Sequence, residues 1–157
     1  MPSYHSKRFL PFARRDVFQI VADVEKYPDF LPWCQNLTVL SRKEGTMEAE
    51  MHVAKGPVEE KFRSIVEFDP EKTIKIILAK GNRSGGFLSE LTSTWTFEDA
   101  LGQFGGTDVS FSIEVSMSNF IINSLLGGVF REIAADMVTA FEHRAHGMLK
   151  SPVRSKG

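Results

Sequence analysis

The feature that most constrains this chain is its last long segment, residues 119–149, where a single period runs unbroken. Ile122, Leu125, Leu126, Val129, Phe130, Ile133, Met137, Phe141, Ala145 and Met148 recur mostly at steps of three and four. That spacing gathers them on one side of an α-helix. Arg131, Glu132, Asp136, Thr139, Glu142 and His143 fall mainly on the other side. Ser118 or Asn119 is placed to cap the start, and Gly147, Lys150 and Pro152 mark the end. At ~1.5 Å per residue the helix is on the order of 40 Å long. The rest of the chain has to supply an apolar partner of that length.

The preceding residues supply it as strands. Residues 4–10 read as a short opening strand ended by Pro11. Residues 12–22 and 23–30 read as two short helices, the second broken at Tyr27-Pro28. From Asn36 the period becomes two: Met47, Ala49, Met51 and Val53 alternate with polar neighbours, as do Phe62, Ser64, Val66 and Phe68. Ile74, Ile76 and Leu78 follow, then Phe87, Leu91, Trp95 and Phe97, then Val109, Phe111, Ile113, Val115 and Met117. Gly56-Pro57, Asp69-Pro70 and residues 81–86 and 102–107 separate these runs as turns. The pattern predicts an α+β fold: an antiparallel sheet of about seven strands, apolar on one face, curved around the terminal helix.

With 157 residues, one domain over residues 1–150 is expected, followed by a disordered tail over 151–157. The 42% hydrophobic and 25% charged residues are those of an ordinary globular chain. A net charge of −1 gives no general case for nucleic acid, although Lys7, Arg8, Arg14 and Arg15 cluster near the start and Lys150, Arg154 and Lys156 near the end. The single cysteine, Cys34, excludes an intrachain disulfide. No run is apolar enough for a membrane span or a signal peptide, so a cytoplasmic protein, peripheral at most to the inner membrane, is expected.

Catalytic signals are sparse. Nothing in the sequence fixes a base beside Cys34, which reads as a buried structural thiol. His143 and His146 read as a solvated pair rather than as metal ligands. Glu60 shares the parity of Val58 and Phe62 and would point inward in a regular strand, where a carboxylate must pair or neutralise, with Arg63 or Arg83 as conceivable partners; the favoured reading places it at the open end, where water reaches it. No catalytic residue, metal or cofactor is expected. The stronger signal is apolar surplus, with 13 Phe in the chain. A curved sheet around one helix leaves space that side chains need not fill, and such cavities take apolar ligands. The residues expected to line it are Phe30, Trp33, Phe62, Ser64, Phe87, Leu91, Trp95, Phe97, Phe111, Ile113, Leu125, Leu126, Val129, Phe130, Ile133 and Met137.

The segment Asp23-Val24-Glu25-Lys26-Tyr27-Pro28-Asp29-Phe30-Leu31-Pro32-Trp33-Cys34 resembles the hallmark of the coenzyme Q-binding proteins. These belong to the START-like, polyketide cyclase and lipid transport (SRPBCC) superfamily. Lys61-Phe62-Arg63-Ser64, the stretch from Gly86-Phe87-Leu88 to Trp95-Thr96-Phe97, and the long last helix also match. Gly86 departs from the proline expected in many relatives. The resemblance implies a helix-grip fold, no enzymatic activity, and binding of ubiquinone or a related polyprenyl quinone in support of respiration and quinone biosynthesis. Implied partners are the quinone, a membrane surface in passing, and proteins of those pathways. Similar bacterial proteins are described as toxins that associate with the ribosome and block subunit joining, so the ribosome stands as the alternative partner. A tail burying ~400 Å² of apolar surface would gain on the order of 10 kcal/mol before the costs of association. Two roles stay open for the corner at Phe30-Leu31-Pro32-Trp33: a core plug, or a membrane contact backed by Arg14 and Arg15.

Overall fold

A computed structural model describes residues 3–56, 58–79, 88–100, 106–117 and 120–149 of the chain. The opening strand β1 spans Ser3–Leu10, one residue earlier than the pattern suggests. Helix α1 covers Arg14–Ala22 and buries Val17, Phe18 and Val21. It starts later than expected because Ala13 is extended at its N-cap. Phe12 therefore sits outside the helix, buried, with its ring meeting His146 edge-on at 5.0 Å between centres and its carbonyl accepting the Thr107 hydroxyl at 2.7 Å. A 3₁₀ turn, Val24–Lys26, leads into the short helix α2, Tyr27–Phe30. Pro28 fits there because the first helical turn leaves its backbone N–H groups unbonded in any case.

Six strands then run as a meander: β2 (Cys34–Lys43), β3 (Thr46–Lys55), β4 (Val58–Asp69), β5 (Thr73–Leu78), β6 (Leu88–Asp99) and β7 (Thr107–Met117). With β1 they form one seven-stranded antiparallel sheet in the order β1-β7-β6-β5-β4-β3-β2. The first helices thus carry the chain from one edge of the sheet to the other. Gly45 adopts φ +79 in the β2–β3 hairpin, a conformation that costs glycine little. Edge strand β2 carries two register shifts, at Cys34/Asn36 and Val39/Ser41, which break the row of groups it offers to another chain.

Alternation decides which face is the core. Val109, Phe111, Ile113 and Val115 on β7 are buried, as are Ser93, Trp95 and Phe97 on β6. Helix α3, Phe120–Met148, lies across this face. Its 29 residues give a length of roughly 44 Å. Ile133, Ala134, Val138, Phe141 and Ala145 are buried along it, whereas Leu125 and Met148 of the expected stripe are exposed. Leu125 stands about 100° around the helix from Leu126, so only one of the two can face the sheet. The proposed caps Ser118 and Asn119, and the tail from residue 150, lie outside the described residues.

Candidate ligand-binding site

The space between sheet and helix divides into a filled half and a hollow half. The filled half holds an aromatic cluster. Trp95 packs 4.4 Å from Phe111 and 5.1 Å from Phe141, ring centre to ring centre. Phe141 also meets Tyr27 and Phe30 edge-on, each at 5.1 Å, and Phe18 meets Phe97 at 5.3 Å. These T-shaped and tilted contacts suit rings with negative faces and positive edges. Arg144 lies 4.7 Å above the Phe30 ring and shields its outer side.

The hollow half holds a cavity of about 130 Å³. Its helix wall is Leu126, Phe130, Ile133 and Met137, and its sheet wall includes Phe62, Leu91, Trp95 and Ile113. Half-buried Val58, Leu88 and Met117, each at the end of a strand, ring the end nearest the start of α3. Polar atoms are few. Ser64 on β4 and Ser93 on β6 are buried in the wall, and their hydroxyls have no partner among the described residues. Glu60 is also in the wall. It is buried, not water-facing as its position suggested, and its Oε2 accepts the Leu88 backbone N–H at 2.9 Å.

Ten of the predicted residues meet at this cavity: Trp33, Phe62, Ser64, Leu91, Trp95, Ile113, Leu126, Phe130, Ile133 and Met137. Five do not. Phe30, Phe97 and Phe111 belong instead to the aromatic cluster that closes the grip, where their rings pack on Phe141, Phe18 and Trp95. Leu125 points to solvent, and Val129 is half-buried beside the cavity rather than in its wall. Phe87 lies outside the described residues. The wall residues that sequence reasoning passed over are mostly aliphatic, among them Ala49, Met51, Val53, Ile76 and Val115. Strand parity alone would have found them.

The Tyr27–Cys34 segment turns inward. Leu31 and Trp33 are 1% and 3% exposed, so Trp33 is a core residue and not a membrane contact. The Tyr27 hydroxyl donates to the Val21 carbonyl, and burial, with Cys34 and Asp23 nearby, pushes its pKa far above the usual phenol range. Burial also raises the Cys34 thiol to about 11, opposed in part by hydrogen bonding to the Asn36 backbone. Among the described residues no group of three His, Cys, Asp or Glu is placed to hold a metal ion, and no helix is long and apolar enough to cross a membrane. His143 and His146 are exposed.

A curved antiparallel sheet gripping a C-terminal helix, with an apolar cavity between them, defines the START-like helix-grip class. The chain matches the family described as polyketide cyclase / dehydrase and lipid transport over residues 10–142, and it belongs to that family. In fold it is similar to a START superfamily protein from Mycobacterium smegmatis, with a TM-score of 0.78 at 14% identity, over 95% of this chain and 100% of that one. In sequence it is 34% identical over 145 residues to the ribosome association toxin RatA of Pseudomonas aeruginosa, covering 91% of this chain and 96% of that protein. It is 29% identical over 143 residues to the mitochondrial coenzyme Q-binding protein COQ10 homolog B of Xenopus laevis, covering 90% of this chain and 57% of that one.

Proposed function

We propose that this protein binds a prenylated quinone of the ubiquinone type in the cavity under α3 and carries it without altering it. The observation that carries this reading is the wall: mostly apolar side chains, interrupted by the Glu60 carboxylate and by two hydroxyls, Ser64 and Ser93, that have no partner among the described residues. A quinone ring asks for that combination, since its carbonyl oxygens accept hydrogen bonds and the rest of it is apolar. The size also suits a ring. An engineered apolar cavity of about 150 Å³ stays dry and takes up benzene, and this one is about 130 Å³. The isoprenoid tail would continue past Val58, Leu88 and Met117 toward the open end. The similarity to the frog coenzyme Q-binding protein supports the same reading. A carrier of this kind needs no general base and no redox group of its own.

Association with the ribosome is the second reading, favoured by the 34% identity to the Pseudomonas toxin. Its physical support would be a basic surface able to neutralise phosphates. The arginines of the cluster near the start each lie beside a carboxylate, and the cluster of Lys150, Arg154 and Lys156 lies outside the described residues. Arg8 lies 3.7 Å from Glu142, and Arg15 lies 3.8 Å from Asp16. Arg14 Nε lies 3.3 Å from Asp99 without hydrogen-bond alignment, and Arg14 Nη1 donates to the Glu71 carbonyl at 3.2 Å. Solvent extraction of the purified protein followed by mass spectrometry tests the first reading, with a prenylated quinone expected in the extract. No quinone in the extract, together with co-sedimentation with the large ribosomal subunit, would reverse the preference.

A further inference from the structure

We propose that the first turns of α3 are the surface by which the protein docks on a lipid bilayer, with Ile121 and Leu125 entering the acyl boundary. This rests on the lipid-carrier reading above and adds the place where the lipid crosses. Ile121 and Leu125 are 68% and 72% exposed, one helical turn apart on the same outer face. No charged residue occurs between Glu114 and Arg131. The same turns direct Leu126 and Phe130 into the cavity wall. This end of the helix therefore presents large apolar side chains outward, at Ile121 and Leu125, as well as inward, at Leu126 and Phe130, a pattern that suits hydrocarbon better than water. A polyanionic partner such as ribosomal RNA would ask for cations here instead.

The surface lies on the same turns of α3 as the cavity wall, so a lipid leaving the bilayer there would next meet Leu126 and Phe130. Arg131 is exposed and forms no ion pair among the described residues. Glu132 and Asp136, further along the helix, lie 3.8 and 3.0 Å from Lys55. Docking through this patch is apolar in character, so it should depend little on anionic lipid or on salt.

Flotation with phosphatidylcholine vesicles, with and without phosphatidylglycerol and at low and high salt, tests this. The full chain should float on both compositions at both salt concentrations. Ile121→Asp with Leu125→Asp should weaken flotation by roughly tenfold or more. Phe9→Asp, which changes an exposed apolar residue on β1, should not. Melting temperature and the binding of a short-chain, water-soluble quinone in vesicle-free solution should be the same in the double variant, since both side chains lie outside the core. If the Asp pair misfolds, Ile121→Ser with Leu125→Ser asks the same question. Unchanged flotation of the double variant, equal loss in Phe9→Asp, or a wild-type protein that does not float would overturn the proposal. So would a dimer in solution that the double variant dissociates, because a second copy would then be what covers the patch. Flotation without short-chain quinone binding would leave docking in place and remove the carrier reading.

Discussion

The carboxylate of Glu60 accepts the backbone N–H of Leu88 at 2.9 Å, although their strands, β4 and β6, are not neighbours in the sheet. β5 should lie between them but is too short. Its pairing with β4 ends at Ser64↔Leu78, and its pairing with β6 ends at Ile77↔Thr92. Past that point no described strand pairs with this edge of β6, and the Glu60 side chain supplies an acceptor for the Leu88 N–H. This helps to explain a buried carboxyl group in a mostly apolar wall, because a buried polar group is tolerated where hydrogen bonds compensate it.

Glu60→Ala should leave the Leu88 N–H without that acceptor and cost about 1–3 kcal/mol. Glu60→Gln, which keeps an acceptor oxygen, should cost less. Amide exchange at Leu88 reads the difference directly. Protection lost in Glu60→Ala and largely kept in Glu60→Gln is the expected result, while equal protection in both would remove this role from Glu60.

Ala49 is the smallest side chain in the sheet wall, buried on β3 opposite Ser64. Ala49→Leu places new apolar volume into an existing void, so the usual penalty for overpacking should be largely offset. Melting temperature should hold or rise while co-purified quinone falls by more than half. A variant with a full quinone complement would place the ligand elsewhere.

The architecture was readable in the sequence because period is a strong signal. The alternation of Val109, Phe111, Ile113 and Val115, and the three-and-four spacing from Ile133 to Ala145, each admit one buried face. The cavity was readable only in part, because parity tells which face a residue joins and not what stands across from it. Phe97, Phe111 and Trp95 share a face, yet only Trp95 reaches the void. Which rings meet depends on where Phe141 and Tyr27 arrive from other elements. Glu60 was misplaced for a related reason. Its burial follows from the early end of β5, which its own strand does not encode.

Trp33 is 3% exposed in the core, and its indole N–H has no hydrogen-bond partner among the described residues. The ring bulk stabilises the corner, while the unpaired donor costs something. Trp33→Ala should therefore destabilise by ~3–5 kcal/mol, as large-to-small core changes do. Trp33→Phe should fall within ~1.5 kcal/mol of wild type, since it keeps most of the apolar volume and removes the orphan donor. Denaturant unfolding of both variants decides this. A Trp33→Ala protein of unchanged stability that had lost vesicle binding would restore the corner as a membrane contact.

Cys34 should make stability fall at high pH. Burial holds its thiol at about 11 in the folded chain, above the ordinary 9.0. A raised pKa means that the folded state keeps its proton where the unfolded state has released it. The stabilisation is fully present below pH ~9 and is lost as pH rises through ~11. Two units correspond to about 3 kcal/mol at most, and less where water reaches the thiolate. Cys34→Ala should abolish this part of the pH dependence, although it also removes packing at every pH. The observable is therefore the slope of unfolding free energy between pH 9 and 11 in the two proteins. The wild type should fall more steeply, by up to one proton's worth. Lys55, held above its usual range chiefly by its hydrogen bond to Asp136, contributes a loss in the same direction as pH rises past ~10.5, and it does so equally in both proteins. Identical slopes would mean that water reaches Cys34 freely. Iodoacetamide should then alkylate the folded protein at pH 8 as fast as the denatured one, whereas a buried thiol would react many times more slowly.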